Sequence, residues 1–186
     1  MGYTHYFTQK SEVPVAKWSE LTAAVKKVFD NFPEYSTSAG GFYTDQPIKV
    51  QFEDDDAAPP EIGDVIIRFN GEGDYGHETF MIGQDFDPNG TTFNFCKTAR
   101  KPYDYAVCAV LILLDHYAPG CYDISSDGEP DDWLPVLSDL RELFEDDSIK
   151  LPKELQKEWI KEGGEFPEPP QRKEEKPLFN SVNQWF

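Results

Sequence analysis

Cysteine is scarce in this chain. Only Cys96, Cys108 and Cys121 are present, at no CxxC or zinc-type spacing. An odd, scattered set offers no disulfide framework, so reduced thiols are expected. With no signal-peptide pattern, a cytoplasmic location follows as an expectation, with no metal and no cofactor. Long apolar runs are missing as well. The longest, Ala106 to Leu114, falls far short of the roughly 20 residues that span a bilayer, so no membrane partner is expected. Cations are few, with 17 Lys and Arg against 35 Asp and Glu for a formal charge of −18. A nucleic-acid backbone demands clustered cations that release counterions, so direct nucleic-acid binding is not expected of this surface. No internal repeat is visible.

What is present is a core. Hydrophobic residues make up 39% and aromatics 15% of the 186 residues, enough for one domain. Tyr3 to Thr8 reads as a strand. Val13 to Phe32 reads as a helix, with Val15, Trp18, Leu21, Val25, Val28 and Phe29 at helical steps and Pro33 as its stop. Four further strands are read at Ile48 to Glu53, Asp64 to Asn70, Glu78 to Ile82 and Thr91 to Cys96. Pro59-Pro60, the glycine-rich Asn70 to Gly76 and Asp87-Pro88-Asn89-Gly90 separate them, the last as a hairpin signal. Pro102 opens a helix over Tyr103 to Tyr117 that is apolar nearly all round and so belongs in the interior. A strand over Cys121 to Ser125, an amphipathic helix from Asp131-Asp132 and a short helix over Pro152 to Lys161 follow. The spacing thus predicts an α+β fold, mainly antiparallel sheet packed by a buried central helix and flanking amphipathic helices. Residues 1–162 form the domain, and 163–186 form a proline-rich tail ending in the aromatics Phe179, Trp185 and Phe186.

Two features bear on function. Between Val28 and Ile149 there are six cations, and Lys97, Arg100 and Lys101 are three of them. They lie where a strand hands over to the buried helix, and a helix start attracts anions through its free N–H groups. Lys97, Thr98, Arg100, Lys101 and Tyr103, with His5, Tyr6, His77 and Glu78 as neighbours, form a candidate seat for a nucleotide-like anion. The opposing expectation is a surface turn whose helix Asp104 caps with its own carboxylate. Cys96 with His5 or His77 has the composition of a nucleophile and base, against the commoner role of a buried small residue. The other feature is a pair of acidic tracts. Asp45 to Asp64 holds seven acids and Asp127 to Asp147 holds nine, with Lys49 and Arg141 as their only cations. Asp54, Asp55, Asp56, Asp131, Asp132, Glu145, Asp146 and Asp147 are candidate contacts for a basic partner, against the plainer reading of solvated faces.

Gly2-Tyr3-Thr4-His5-Tyr6, Phe69-Asn70-Gly71, Glu78-Thr79-Phe80, Ser126-Asp127-Gly128, Trp133 and above all Phe95-Cys96-Lys97-Thr98-Ala99-Arg100-Lys101-Pro102-Tyr103-Asp104 together resemble a set of uncharacterised bacteriophage and bacterial proteins. The resemblance covers roughly residues 2 to 133, with the acidic insert Glu53 to Glu61 and the tail after Gly163 outside it, and implies phage or prophage provenance rather than a mechanism. Two functional expectations stand. The first is a phage-type acidic interaction protein that binds and inhibits a host or defence protein. The second is a binder or hydrolase of a small nucleotide-like anion at Lys97 to Lys101.

Overall fold

The computed structural model describes residues 2–36, 46–53, 57–161 and 163–165. Asp54, Asp55 and Asp56, most of the serine- and glycine-rich loop after Tyr35, and the tail beyond Glu165 lie outside the described residues.

Among the described residues, seven strands and four helices form an α+β fold with two antiparallel sheets. Strand β1 (Thr4–Gln9) is the centre of a three-stranded sheet, between β6 (Phe93–Lys97) and β7 (Tyr122–Ser126). In the second sheet β4 (Ile66–Gly71) pairs with β2 (Val50–Gln51), β3 (Glu61–Ile62) and β5 (Phe80–Gly83). Alternation decides which side chains go inward. In β1 His5 and Phe7 are buried, while Tyr6 and Thr8 lie on the other, more open face.

Helix α2 (Asp104–Tyr117) is the core's axis, with every residue from Asp104 to Leu114 buried. Its all-round apolar sequence is accounted for, because α1 (Val15–Phe29), α3 (Pro130–Phe144) and the three-stranded sheet cover its sides. Helix α1 buries Trp18, Leu21, Val25 and Val28. Val15, read as part of that stripe, is instead exposed at the helix start. An aromatic column ties the layers together. Phe7 meets Phe80 at 5.2 Å between ring centres, Phe80 meets Phe69 at 5.0 Å, and Phe69 meets Phe29 edge-on at 5.1 Å. Phe7, Phe69 and Phe80 are fully buried, and each such ring contributes about 1.5–3 kcal/mol through removal from water. Helix α4 (Lys153–Lys161) packs on β7 and α3.

One expectation fails. Asp87-Pro88-Asn89-Gly90 does not close a hairpin, because β5 joins β4 and β6 joins β1. The turn itself forms, with Asn89 N–H donating to Asp87 Oδ1 at 2.9 Å and Gly90 N–H to the Asp87 carbonyl at 3.1 Å. Turn chemistry fixes a local reversal, whereas partner choice is set by which faces can be buried. The chain therefore turns here while crossing between sheets.

Candidate functional site

The segments singled out in the sequence close on one another at one end of α2. Across the three-stranded sheet, Cys96, His5 and Ser126 stand in a single register row. All three follow the inward alternation, so they face the first turn of α2, where Asp104 and Cys108 point back one helical turn apart.

The result is a buried polar chain. Asp104 Oδ1 accepts from His5 Nε2 at 2.8 Å and from Thr98 Oγ1 at 2.5 Å. The thiol of Cys108 lies 3.6 Å from Asp104 Oδ2 and 3.8 Å from His5 Nε2. On the far side of the ring, His5 Nδ1 is 3.0 Å from Ser126 Oγ, which accepts from the Gly128 N–H at 2.9 Å. Donors and acceptors match when Nε2 carries the ring proton and Ser126 donates to Nδ1. His5, Thr98, Asp104 and Cys108 have no solvent exposure, and burial pushes the Cys108 thiol well up, assisted by the Asp104 carboxylate.

Aromatic edges enclose His5. Tyr3 lies edge-on at 5.1 Å and Trp133 edge-on at 5.0 Å, both buried. The Tyr3 hydroxyl and Trp133 Nε1 are buried without hydrogen-bond partners among the described residues. Burial, then the neighbouring Cys108 and the Asp104 carboxylate, hold the Tyr3 phenol far above its ordinary range. Above the Tyr3 ring sits the Arg100 guanidinium, 4.1 Å from the ring centre, and it also reaches Asp132 at 3.3 Å. That placement requires an unusual backbone, since Ala99 and Arg100 have φ of 51° and 60°. Two successive non-glycine residues in the left-handed region cost about 1–2 kcal/mol each. The turns around them, with Lys101 N–H donating to the Thr98 carbonyl and Asp104 N–H to the Lys101 carbonyl, hold the strand-to-helix connection.

The candidate anion seat therefore divides. His5 and Thr98 belong to the buried chain. Tyr103 is buried in a neighbouring knot, its hydroxyl donating to the Glu78 carbonyl at 2.7 Å, while the Glu78 carboxylate accepts from the Lys97 N–H at 2.7 Å. Arg100 is engaged by Asp132, and Lys101 Nζ donates to the Asp74 carbonyl at 2.8 Å. Tyr6 lies on the opposite face of its strand, bonded to Asp127 and stacked near Phe93. His77 is exposed, its backbone held by Asn70 in the hairpin after β4. Asp104 does not cap α2. It is the helix's first residue and its side chain turns inward to His5, leaving Tyr103 as the cap position, whose side chain bonds elsewhere and does not cap the helix. Nor does Cys96 address a base: its thiol donates to the Glu78 carbonyl at 3.3 Å, and burial raises its pKa. Cys108 carries no local motif, so only its distance to His5 reveals it, and Ser126, singled out as part of Ser126-Asp127-Gly128, is tied to His5 only by the fold.

The acidic candidates also divide. Asp131, Glu145 and Asp147 are exposed. Asp132 is taken up by Arg100 and by the capping box with Glu129, and Asp146 lies 3.6 Å from His116. No helix among the described residues is long and apolar enough to cross a membrane. Comparison with protein-family models, with curated proteins and with solved structures finds no match for this chain.

Proposed function

We propose that this protein works by docking: it is an acidic interaction protein that settles on a cationic surface of a host or defence protein, in the host cytoplasm, and blocks it. One observation carries the reading. Helix α3 buries Trp133, Val136, Leu137 and Leu140 and leaves Asp131 and Glu142 exposed, with Asp127 and Glu129 exposed just before it and Glu145 just after. Meanwhile Arg100 and Lys101 of the basic corner are engaged within the fold. An exposed row of one sign steers association with the opposite sign and fixes its register more than it adds raw affinity.

The competing reading is a seat or hydrolytic site for a nucleotide-like anion at Lys97 to Lys101. In its favour stands the left-handed backbone at Ala99 and Arg100, an energetic cost placed in the turn that carries Arg100 and Lys101.

Immobilised protein should capture a basic partner from host lysate at low salt and release it as salt rises. The variant Asp131→Lys/Glu142→Lys/Glu145→Lys, folded by circular dichroism, should lose that capture at least about tenfold. Unchanged capture by the folded triple variant rejects the docking face. A melting-temperature rise with ATP, a cyclic nucleotide or NAD that disappears in Arg100→Ala moves the function to the basic corner instead.

A further inference from the structure

We propose that His5, Asp104 and Cys108 form a binding site for one divalent ion of the zinc class. Three donors of three chemical kinds come from two elements far apart in sequence, β1 and the first turn of α2, and their ligand atoms lie within 4.8 Å of one another. Imidazole, carboxylate and thiolate are the ligand types that a borderline-soft ion takes.

The spacing fits such an ion. Bond lengths of about 2.0–2.3 Å in a tetrahedron set ligand-to-ligand edges of roughly 3.3–3.7 Å. Cys108 Sγ stands 3.6 Å from Asp104 Oδ2 and 3.8 Å from His5 Nε2, close to those edges. His5 Nε2 meets the other carboxylate oxygen, Oδ1, at 2.8 Å. The Asp104 carboxyl must therefore rotate to offer one oxygen to the ion and part from the imidazole by about half an ångström, since a shared proton now draws the pair closer than a shared cation holds them. The outer contacts already suit a ligand set. Ser126 Oγ is placed to accept from Nδ1–H once Nε2 turns to the ion, and Thr98 Oγ1 steadies the carboxylate. Three protein ligands leave a fourth corner for a water.

Charge points the same way. Asp104 is a carboxylate with no solvent exposure, held by the His5 imidazole, the Thr98 hydroxyl and the Cys108 thiol. A thiol is a weak donor to set against a buried carboxylate. A divalent ion with one thiolate and one carboxylate sums to zero, and the Cys108 proton leaves as the ion enters. The Tyr3 and Trp133 edges keep that neutral centre dry.

The test uses the full chain, purified without chelator and then stripped and reloaded with Co(II). Mass spectrometry of the metal should find one zinc per chain before stripping. Cobalt should bring a thiolate-to-metal charge-transfer band that Cys108→Ser abolishes and Cys121→Ser keeps, and His5→Gln should weaken retention at least about tenfold. A folded wild-type protein with no bound metal and no cobalt band overturns the proposal, as does a band that survives Cys108→Ser. If Cys108→Ser does not fold, X-ray absorption of the wild-type metal complex decides: one sulfur neighbour supports the site, and none overturns it.

Discussion

Gly128 shows how closely single atoms are fitted at the His5 end of the molecule. A methyl group on its Cα would collide with the Tyr3 hydroxyl and lie 2.7 Å from two ring carbons. Tyr3 cannot swing away, because Arg100 covers its face and His5 abuts its edge. Gly128→Ala should therefore destabilise the fold by about 1–3 kcal/mol, the usual cost of overpacking, read as a lower urea midpoint with an unchanged slope. A midpoint equal to wild type would show that Tyr3 has room to move. The glycine is needed here for space, in contrast to Gly120, whose φ of 82° demands conformational freedom.

Among the elements, the junction of α2 and α4 has a titratable group at its centre. Burial raises the Asp115 carboxyl above its ordinary 3.8, while the Lys153 backbone N–H at the start of α4 and the Lys153 charge pull it down. The folded state thus favours the protonated acid. Its contribution to stability is complete below the unfolded value and is lost as pH rises through the folded value. At pH 7 the ionised carboxylate works against this packing, so Asp115→Asn should melt at a higher temperature than wild type. The gap should close below about pH 4, where both side chains are neutral. A variant less stable at pH 7 would mean that the charge at the α4 start outweighs its desolvation. Helix α3 needs no such compromise, since Glu129 and Asp132 cap it reciprocally and Pro130 occupies its first turn.

For the whole molecule the governing quantity is a formal charge of −18 on 186 residues. Self-repulsion of that size opposes compaction, and salt shortens its reach from about 30 Å at 0.01 M to about 8 Å at 0.15 M. The melting temperature should rise over that range. A falling value would show that ion pairs such as Lys10–Asp123 and Lys17–Glu20, both solvent-exposed, outweigh the repulsion, contrary to the small worth of exposed pairs. The same field explains why Arg100 is not left open: a cation in this surface is drawn to the nearest carboxylate, and Asp132 lies beside it.

Periodicity and punctuation in the sequence were enough to determine the α+β class, the buried character of α2 and the strand at Tyr3 to Thr8, because each depends on side chains within one segment. The two-residue strand Glu61–Ile62 was not legible, since it exists only by pairing with Arg68 and Ile67 of β4. The division into two sheets was likewise hidden, as the turn at Asp87 to Gly90 carries no information about which strand its neighbours will meet. At the site, Thr98, Arg100 and Asp104 stood out as one segment, but their roles did not. Asp104 faces a histidine 99 positions away and Ser126 one 121 positions away. Local sequence sets the face on which a side chain lies, and only the packing of β1, β6 and β7 against α2 decides what that face meets.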